Sequence, residues 1–293
     1  MEEIRIYCEN TGTYEHVPLG STLKQLSDRI CPTIDAKCGC GMSVLAALVD
    51  RKLVSLDYKV INPHNVQFVG YSHPDGRRTY IRSLCFVLQN VVREMFPDKV
   101  LAIDYSLPSG LYCEVRELEP MDDGRPKVFF MTDDQIQEVE DRMRAVVEAD
   151  LPFTKEMLEL EECERLFAAN HQYEKVHLFK TLGRFHNSVY FLDGKADTFY
   201  GPLAPSTGFL KTFEIMGFNE GFCLQYPMDG CPDKVLRMKR QSKLATALGE
   251  HSDWCSIMGV SGIGKLNEKV LSGEIVDLIN LSEALHERKY AEI

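Results

Sequence analysis

The first sixty residues have the pattern of a small unit that mixes strands with a helix. Apolar and polar residues alternate over residues 4–8, as on a strand with one buried face. A turn at Gly20 then precedes a helical pattern over residues 23–30. Residues 44–49 form an apolar run that fits either a short helix or a strand, and the unit is predicted to end near Pro63.

Two long amphipathic helices are predicted after this unit. Residues 84–95 carry apolar side chains three and four positions apart, and Pro97 ends the pattern. Thr132 and Gln135 have the spacing of a capping box, and the helical spacing of apolar residues continues after them to Val146. Both segments should therefore pack one face against a core.

The segment between these helices has the pattern of a β-hairpin, with apolar residues 101–105 and 111–115 on either side of a Ser-Gly turn. Strands and helices that mix in this way predict the α+β fold class. From about residue 239 onward the pattern is almost wholly helical. Residues 284–293 contain no Gly or Pro stop signal, so we expect the natural polypeptide to continue.

Length and composition are those of a soluble globular protein. The chain has 293 residues, of which 44% are hydrophobic, and this is enough for two domains with real cores. No segment approaches the ~18 to 20 consecutive apolar residues of a membrane span, and the acidic start at residues 1–3 is unlike a signal peptide. We therefore expect a cytoplasmic protein with no membrane partner, whose ten cysteines are reduced.

The net charge of -11 argues against bulk nucleic-acid binding, since affinity for phosphate backbones rests largely on Lys and Arg. Clusters of basic residues are more often solvated faces than binding sites. Two such clusters are present, one made of Arg77, Arg78 and Arg82 and the other of Lys239, Arg240 and Lys243.

Several side chains could in principle bind a ligand or take part in catalysis, but we favour a structural role for them. Residues 259–265 match the Gly-x-x-x-x-Gly-Lys part of a phosphate loop, but Leu266 stands where Mg²⁺ binding needs Ser or Thr. The preceding residues also predict a helix end, so an interhelical turn is expected there. The remaining groups lack the spacing of a metal or catalytic site. They comprise Cys31 with Cys38 and Cys40, the thiols Cys85 and Cys113, and His171, His177 and His186. We expect Cys85, which lies beside the apolar helical stripe, to be buried and unreactive.

Residues 1–62 resemble the TGS domain, a small ubiquitin-like β-grasp module. The resemblance is carried by residues 20–23 and by the stretch from Ala46 to Asp57. It implies a β-grasp fold and a docking or ligand-binding role. A purely structural cap on the next domain is the equally favoured alternative.

The stretch 197–208 resembles the second additional, or editing, domain of threonyl-tRNA synthetase, and the likeness extends over residues 63–220. It implies a threonyl/alanyl-tRNA-synthetase editing-like α+β domain. That family has a Cys and a His four residues apart in this stretch, and a His-x-x-x-His pair on a helix. Both pairs belong to its metal site.

All four metal-binding positions of that family are changed in this chain. Phe199 and Leu203 replace the Cys and His, while Arg82 and Phe86 replace the two helical histidines. None of these side chains can donate a lone pair to Zn²⁺. We therefore predict no metal and no catalytic residue here, and expect the replacements to fill the former site with packed side chains.

Any pocket that survives beside these positions is expected to be lined by Arg82, Tyr200 and Lys211, which could receive a phosphate or a nucleotide. This prediction comes from the position of the three residues within the resemblance. The alternative for Arg82 is a salt bridge that ties its helix to the rest of the domain.

Residues 221–293, a mostly helical segment, resemble part of the amino-terminal region of bacterial nucleoside kinases of the uridine kinase and phosphoribulokinase class. The resemblance implies a kinase domain after this segment as the chain's own partner, with ATP and Mg²⁺ as its cofactors. The leading hypothesis is a non-catalytic binding or regulatory region of such a kinase. A tRNA-editing-type hydrolase or RNA-binding module is the alternative, and a nucleotide-binding module using Lys265 ranks last. The sequence does not indicate an oligomeric state.

Overall fold

The fold is α+β, as predicted. The computed structural model describes residues 2–31, 33–34, 42–108, 110–119, 121–122, 125–228, 231–235 and 242–292. Strands and helices are mixed along the chain and form two sheet-containing units followed by three helices. No helix within these ranges combines the length and the apolar character that a membrane span requires.

The amino-terminal unit is a mixed five-stranded sheet with one helix packed on it, which is the predicted β-grasp arrangement. Its strand order is β2-β1-β7-β5-β6, with β1 antiparallel to β2 and parallel to β7. The elements are β1 (Glu3–Cys8), β2 (Thr13–Pro18), α1 (Leu23–Ile30), β3 (Thr33–Ile34), β4 (Met42–Ser43), β5 (Ala46–Val49), β6 (Lys52–Val54) and β7 (Asn65–Val69).

This sheet continues beyond the boundary predicted at residue 62. Strand β7 lies between β1 and β5, and Phe68 and Val66 on it belong to the same buried core as Ile6 and Leu23. The proline at position 63 therefore opens a loop within the unit. The capping box of Thr22 and Gln25 fixes the start of α1.

The central unit contains two further sheets and the longest helix. One sheet has the order β13-β14-β9-β8 and the other has the order β10-β11-β12. The elements are α2 (Pro74–Met95), β8 (Lys99–Leu107), β9 (Gly110–Glu117), α3 (Asp133–Glu148), β10 (Thr154–Glu159), α4 (Leu160–Ala169), α5 (Tyr173–Thr181), β11 (His186–Leu192), β12 (Lys195–Asp197), β13 (Glu214–Phe218) and β14 (Gly221–Gln225). The predicted hairpin is β8 with β9, and the predicted capping box begins α3.

Helix α2 is the centre of the main core. Its apolar stripe packs against both sheets and α3, with Leu84, Phe86, Val87 and Leu88 fully buried. The helix begins at Pro74, ten positions before the apolar stripe starts. Its first turn lies close to Gly70, the residue that follows β7. A Cβ atom on Gly76 would lie 1.9 Å from the carbonyl oxygen of Gly70, so only glycine permits this contact.

The carboxyl-terminal region is not entirely helical, because its first residues complete the central sheet. Strand β14 pairs with β9, so the central sheet extends past the boundary predicted at residue 220. The remaining elements are β15 (Pro227–Met228), β16 (Cys231–Val235), α6 (Ser242–Ile257), α7 (Ile263–Ser272) and α8 (Ile275–Ala291). The three helices agree with the helical pattern predicted from about residue 239.

Candidate functional site

The structure brings the four altered positions together. Arg82 and Phe86 lie one helical turn apart on α2, and Phe199 and Leu203 lie in the loop that follows β12. The ring of Phe86 has centroid distances of 5.4 Å to Phe199 and 5.8 Å to Phe153. Phe86 and Leu203 are 0% and 2% exposed. These side chains are packed core, as predicted.

Arg82 holds the loop to α2 and is not free for a ligand. Its Nη2 donates to the Pro202 carbonyl oxygen at 2.9 Å and to Thr79 Oγ1 at 3.1 Å, and its Nε reaches the same carbonyl at 3.2 Å. Gly201, at φ 126°, lies against the guanidinium, and a Cβ there would come within 2.9 Å of Nη2. Burial lowers the pKa of Arg82. The tethering alternative is therefore the one that the geometry favours, with a backbone carbonyl in place of a carboxylate.

The other side of the loop is held by strand β11 and by an ion pair whose carboxylate is buried. Tyr190 donates its hydroxyl to the Gly201 carbonyl at 3.0 Å, and Thr198 Oγ1 donates to the Ser188 carbonyl at 3.0 Å. Asp197 is 1% exposed, pairs with Lys175 and accepts from the Thr198 amide at 2.6 Å. The loop is thus held rigidly beside the filled site.

A cleft remains open next to this loop, between the amino-terminal unit and the central unit. It has a volume of about 580 Å³ and runs from the β6 region past β11 to residues 198–202. A second cleft of about 280 Å³ adjoins it and shares Asp57, Lys155 and Tyr190 in its lining. We call the two together the interdomain cleft. It lies beside two of the altered positions, Phe199 and Leu203.

The three residues predicted to line one pocket are in three different environments. Tyr200 is 69% exposed and lies on the rim of the interdomain cleft. Lys211 lies elsewhere, in cavities of about 380 and 460 Å³ that also contain Asp150 and Gly208. Arg82 is hydrogen-bonded to the Pro202 carbonyl of the loop. The structure therefore does not bring the three side chains together.

The interdomain cleft contains polar residues that the sequence reasoning did not select. Lys52, Lys155 and Arg184 are exposed on its walls, and none of them has an ion-pair partner among the described residues. Asn187 on β11 also lines the cleft, although it is only 5% exposed. These four residues come from three segments that are far apart in the sequence, and no motif links the three segments.

The remaining candidates have structural roles or lie outside the described residues. Burial raises the pKa of Cys85 to about 12, and raises that of Cys113 as well, so neither thiol is an activated nucleophile. His177 pairs with Glu268 at 2.5 Å, while His171 and His186 are exposed. Among the described residues, no group of three or more His, Cys, Asp or Glu side chains could hold a metal ion.

The phosphate-loop pattern lies between two helices, as predicted. Residues 258–262 connect α6 to α7, and no strand precedes them in the described segment 242–292. A Cβ on Gly264 would lie 2.5 Å from the backbone nitrogen of Leu178, so this glycine serves the packing of α7 on α5. Lys265 pairs with Glu174 at 2.9 Å. Cys38, Cys40, Lys239 and Arg240 lie outside the described residues.

The comparison with known proteins agrees with the synthetase resemblance. The chain is 25% identical over 206 residues to the threonine-tRNA ligases of Desulforamulus reducens and Symbiobacterium thermophilum, which is 70% of this chain. It is 22% identical over 205 residues to threonine-tRNA ligase 2 of Bacillus subtilis. The chain spans about 30% of the length of these curated relatives. No family model matches it.

These relatives are threonyl-tRNA synthetases, and the similarity to the first two of them extends over 206 of the 293 residues. The comparison gives no support to the nucleoside kinase resemblance predicted for residues 221–293. It supports the synthetase-related alternative better than the kinase hypothesis.

Proposed function

We propose that this chain is a non-catalytic relative of the synthetase region that binds the single-stranded end of an RNA without hydrolysing it. One observation carries the proposal: the four metal-type positions form a packed cluster, while the cleft beside them stays open and is lined by three cations that have no ion-pair partner among the described residues. The packed cluster leaves no group for hydrolysis, and the open cleft with its cations can still bind RNA.

Loss of hydrolysis follows from the side chains at the filled site. Phenyl and aliphatic groups offer no lone pair to Zn²⁺, and Arg82 is bound to a backbone carbonyl. Without a metal-bound water, the site lacks the nucleophile that a zinc hydrolase generates near neutral pH. No activated thiol or histidine pair lies nearby to replace it, within the residues that the structure describes.

Binding is supported by the charges and rings at the cleft. Lys52, Lys155 and Arg184 offer positive charge to phosphates, and the exposed ring of Tyr200 offers a surface on which a base can stack. The net charge of -11 repels an extended phosphate backbone. The cleft therefore suits a few terminal nucleotides better than a duplex.

The test is fluorescence anisotropy with a labelled hexanucleotide of single-stranded RNA, over a series of salt concentrations. The double substitution of Lys155→Ala and Arg184→Ala should weaken binding by about tenfold or more and flatten the salt dependence, because two phosphate contacts are lost. Lys127→Ala is the matched control, since Lys127 is exposed but lines neither part of the cleft.

Two further measurements separate binding from catalysis. Purified protein should contain no stoichiometric zinc by elemental analysis, and it should not deacylate a mischarged aminoacyl-tRNA. Stoichiometric zinc together with deacylation would replace the proposal by a hydrolase. Absence of RNA binding, or equal loss in the Lys127→Ala control, would overturn it directly.

A nucleoside kinase connection stays a separate hypothesis, which rests only on the resemblance of residues 221–293. ATP-dependent phosphorylation of uridine by the full-length gene product, compared with this chain, would test it. The three C-terminal helices neither add a described residue to the interdomain cleft nor form a phosphate loop.

A further inference from the structure

One edge of the three-stranded sheet in the central unit is open. The sheet has the order β10-β11-β12, and no strand among the described residues pairs with the outer side of β10. The segment 205–207 covers this side only as far as Phe153, whose amide donates to the Pro205 carbonyl oxygen at 3.3 Å. Residues 154–157 and Glu159 are exposed. Beyond Phe153, β10 therefore presents a free strand edge.

The other edge of this sheet and the edges of the two larger sheets carry features that hinder pairing between molecules. Strands β6 and β12 have three residues each, β2 ends in Pro18, and the pairing of β8 with β9 contains a register shift. On β13, the Ile215 amide already donates to the Glu140 carboxylate at 2.7 Å. Strand β10 has none of these features, because its six residues pair with β11 in unbroken register.

The hydrogen-bond pattern shows which backbone groups of β10 point outward. In an antiparallel pair of strands, bonded and non-bonded residue pairs alternate. The Leu160 amide donates to the Phe185 carbonyl at 3.0 Å, so residues 160 and 185 continue the β10–β11 register as a bonded pair. Residues 154, 156 and 158 are therefore bonded to β11. The outward backbone groups belong to Lys155, Met157 and Glu159.

We propose that β10 forms the contact of a symmetric dimer, in which it pairs antiparallel with β10 of a second copy of this chain around a two-fold axis at Met157. In this register the three outward residues of one copy lie opposite the three outward residues of the other. Lys155 lies directly opposite Glu159 of the partner subunit, and this pair occurs twice. The two Met157 side chains, each 60% exposed in the single chain, meet at the axis.

The charges on β10 favour a second copy as the occupant of this edge. Neither Lys155 nor Glu159 has an ion-pair partner among the described residues, and Glu159 makes no side-chain capping bond to α4. Opposite charges directly across a strand pair stabilise it, whereas like charges destabilise it. Strand β10 ends at Glu159, where α4 begins, so the partner strand stops opposite Lys155 and does not reach the segment that covers Phe153.

The test is sedimentation velocity of this chain in the absence of nucleic acid, since Lys155 also lines the interdomain cleft. One pair of edge strands is a small interface, so we expect a monomer–dimer equilibrium with a dissociation constant of about 10 to 100 µM, followed over about 1 to 500 µM protein. Lys155→Glu and Glu159→Lys should each raise this constant by about tenfold or more, because each places like charges opposite one another twice. Lys127→Glu makes the same charge change away from β10 and should leave the constant unchanged.

A mixture of the two single variants gives the decisive result. The Lys155→Glu chain has acids at both positions and the Glu159→Lys chain has lysines at both, so a heterodimer of the two restores both charge pairs. The mixture should therefore dimerise about as tightly as the unsubstituted chain, and the double variant should regain self-association.

Three outcomes would overturn the dimer, and none of them bears on the proposed RNA binding, on which this inference does not rest. The unsubstituted chain could stay monomeric over the whole concentration range. It could form a dimer whose dissociation constant neither single variant changes, in which case another surface makes the contact. The single variants could dissociate without pairing with each other, in which case Lys155 and Glu159 do not lie opposite one another.

Discussion

Asp197 is the residue on which the geometry of the 198–204 loop most depends. Its carboxylate is almost fully buried, paired with Lys175, and bonded to the first amide of the loop. Replacing Asp197 by Ala would leave the Lys175 ammonium without its partner. Because the Lys175 side chain is 27% exposed and water can solvate its freed ammonium, we expect a loss of about 1 to 3 kcal/mol in the free energy of unfolding, measured by urea denaturation.

An exposed ion pair of the same type provides the control for this loss. Lys195, on the same strand, pairs with Glu94 at 2.7 Å, and Glu94 is 59% exposed. Lys195→Ala should change the free energy of unfolding by less than about 1 kcal/mol, because water solvates the freed carboxylate. Equal effects of the two substitutions would show that Asp197 does not organise the loop.

Phe86 tests whether the altered site is structural. Its ring is fully buried between Phe153 and Phe199, so Phe86→Ala should create a cavity and cost about 3 to 5 kcal/mol of stability. Phe185 is 85% exposed, and Phe185→Ala should have little effect. The comparison uses midpoints of urea denaturation. A small loss for Phe86→Ala would mean that the former site is not packed core.

The altered positions could be predicted from the sequence, but the residues of the cleft could not. Phe199 and Leu203 could be identified because a recognisable local motif surrounds them, and the spacing of Arg82 and Phe86 is helical. Asn187 and its neighbours could not, because the cleft exists only when β6, β10 and β11 meet in space. The nearest signal was the polar Asn187 within the apolar pattern of residues 186–192.

At the scale of elements, one close contact decides how the two units join. Helix α2 can begin against the end of β7 only because Gly76 has no side chain. Gly76→Ala should destabilise the protein by about 1 to 3 kcal/mol or more, since the clash is with backbone and cannot be relieved by a rotamer. Thermal unfolding followed by circular dichroism would measure this loss.

A second helical glycine makes this prediction specific. Gly249 lies within α6, and nothing is within 4 Å of the position that its Cβ would take. Gly249→Ala should therefore stabilise the protein, by up to about 1 kcal/mol, because alanine is the better helix former. Destabilisation by both substitutions would show that the loss at Gly76 is not specific to the contact between α2 and Gly70.

Element types were predictable where the periodicity is long, and element partners were not. The helical stripe on α2 and the hairpin of β8 with β9 are local patterns, and both are present. The membership of β7 and β14 in their sheets depends on pairing with strands far away in sequence. A proline or a change in composition marks a loop, but it does not show on which side of that loop a sheet ends.

At the scale of the whole molecule, several acidic side chains are buried, and burial opposes their ionisation. Burial raises the pKa of both Cys85 and Cys223 from 9.0 to about 12. In the unfolded chain these thiols ionise near their ordinary pKa, whereas in the folded protein they stay protonated. Below about pH 8 both states keep these thiols protonated, so their contribution to stability is complete there.

Stability should therefore decrease as the pH rises from about 9 towards 12. In that window only the unfolded state loses these protons, and each thiol lowers the free energy of unfolding by about 1.4 kcal/mol per pH unit. Urea denaturation at pH 7.5, 8.5, 9.5 and 10.5 would show the decrease as a falling midpoint with an unchanged slope. The double substitution Cys85→Ala and Cys223→Ala should make the decrease shallower, because two of the groups that drive it are gone. An equally steep decrease in that variant would show that the thiols ionise alike in both states, and that the cores around α2 and β14 admit solvent.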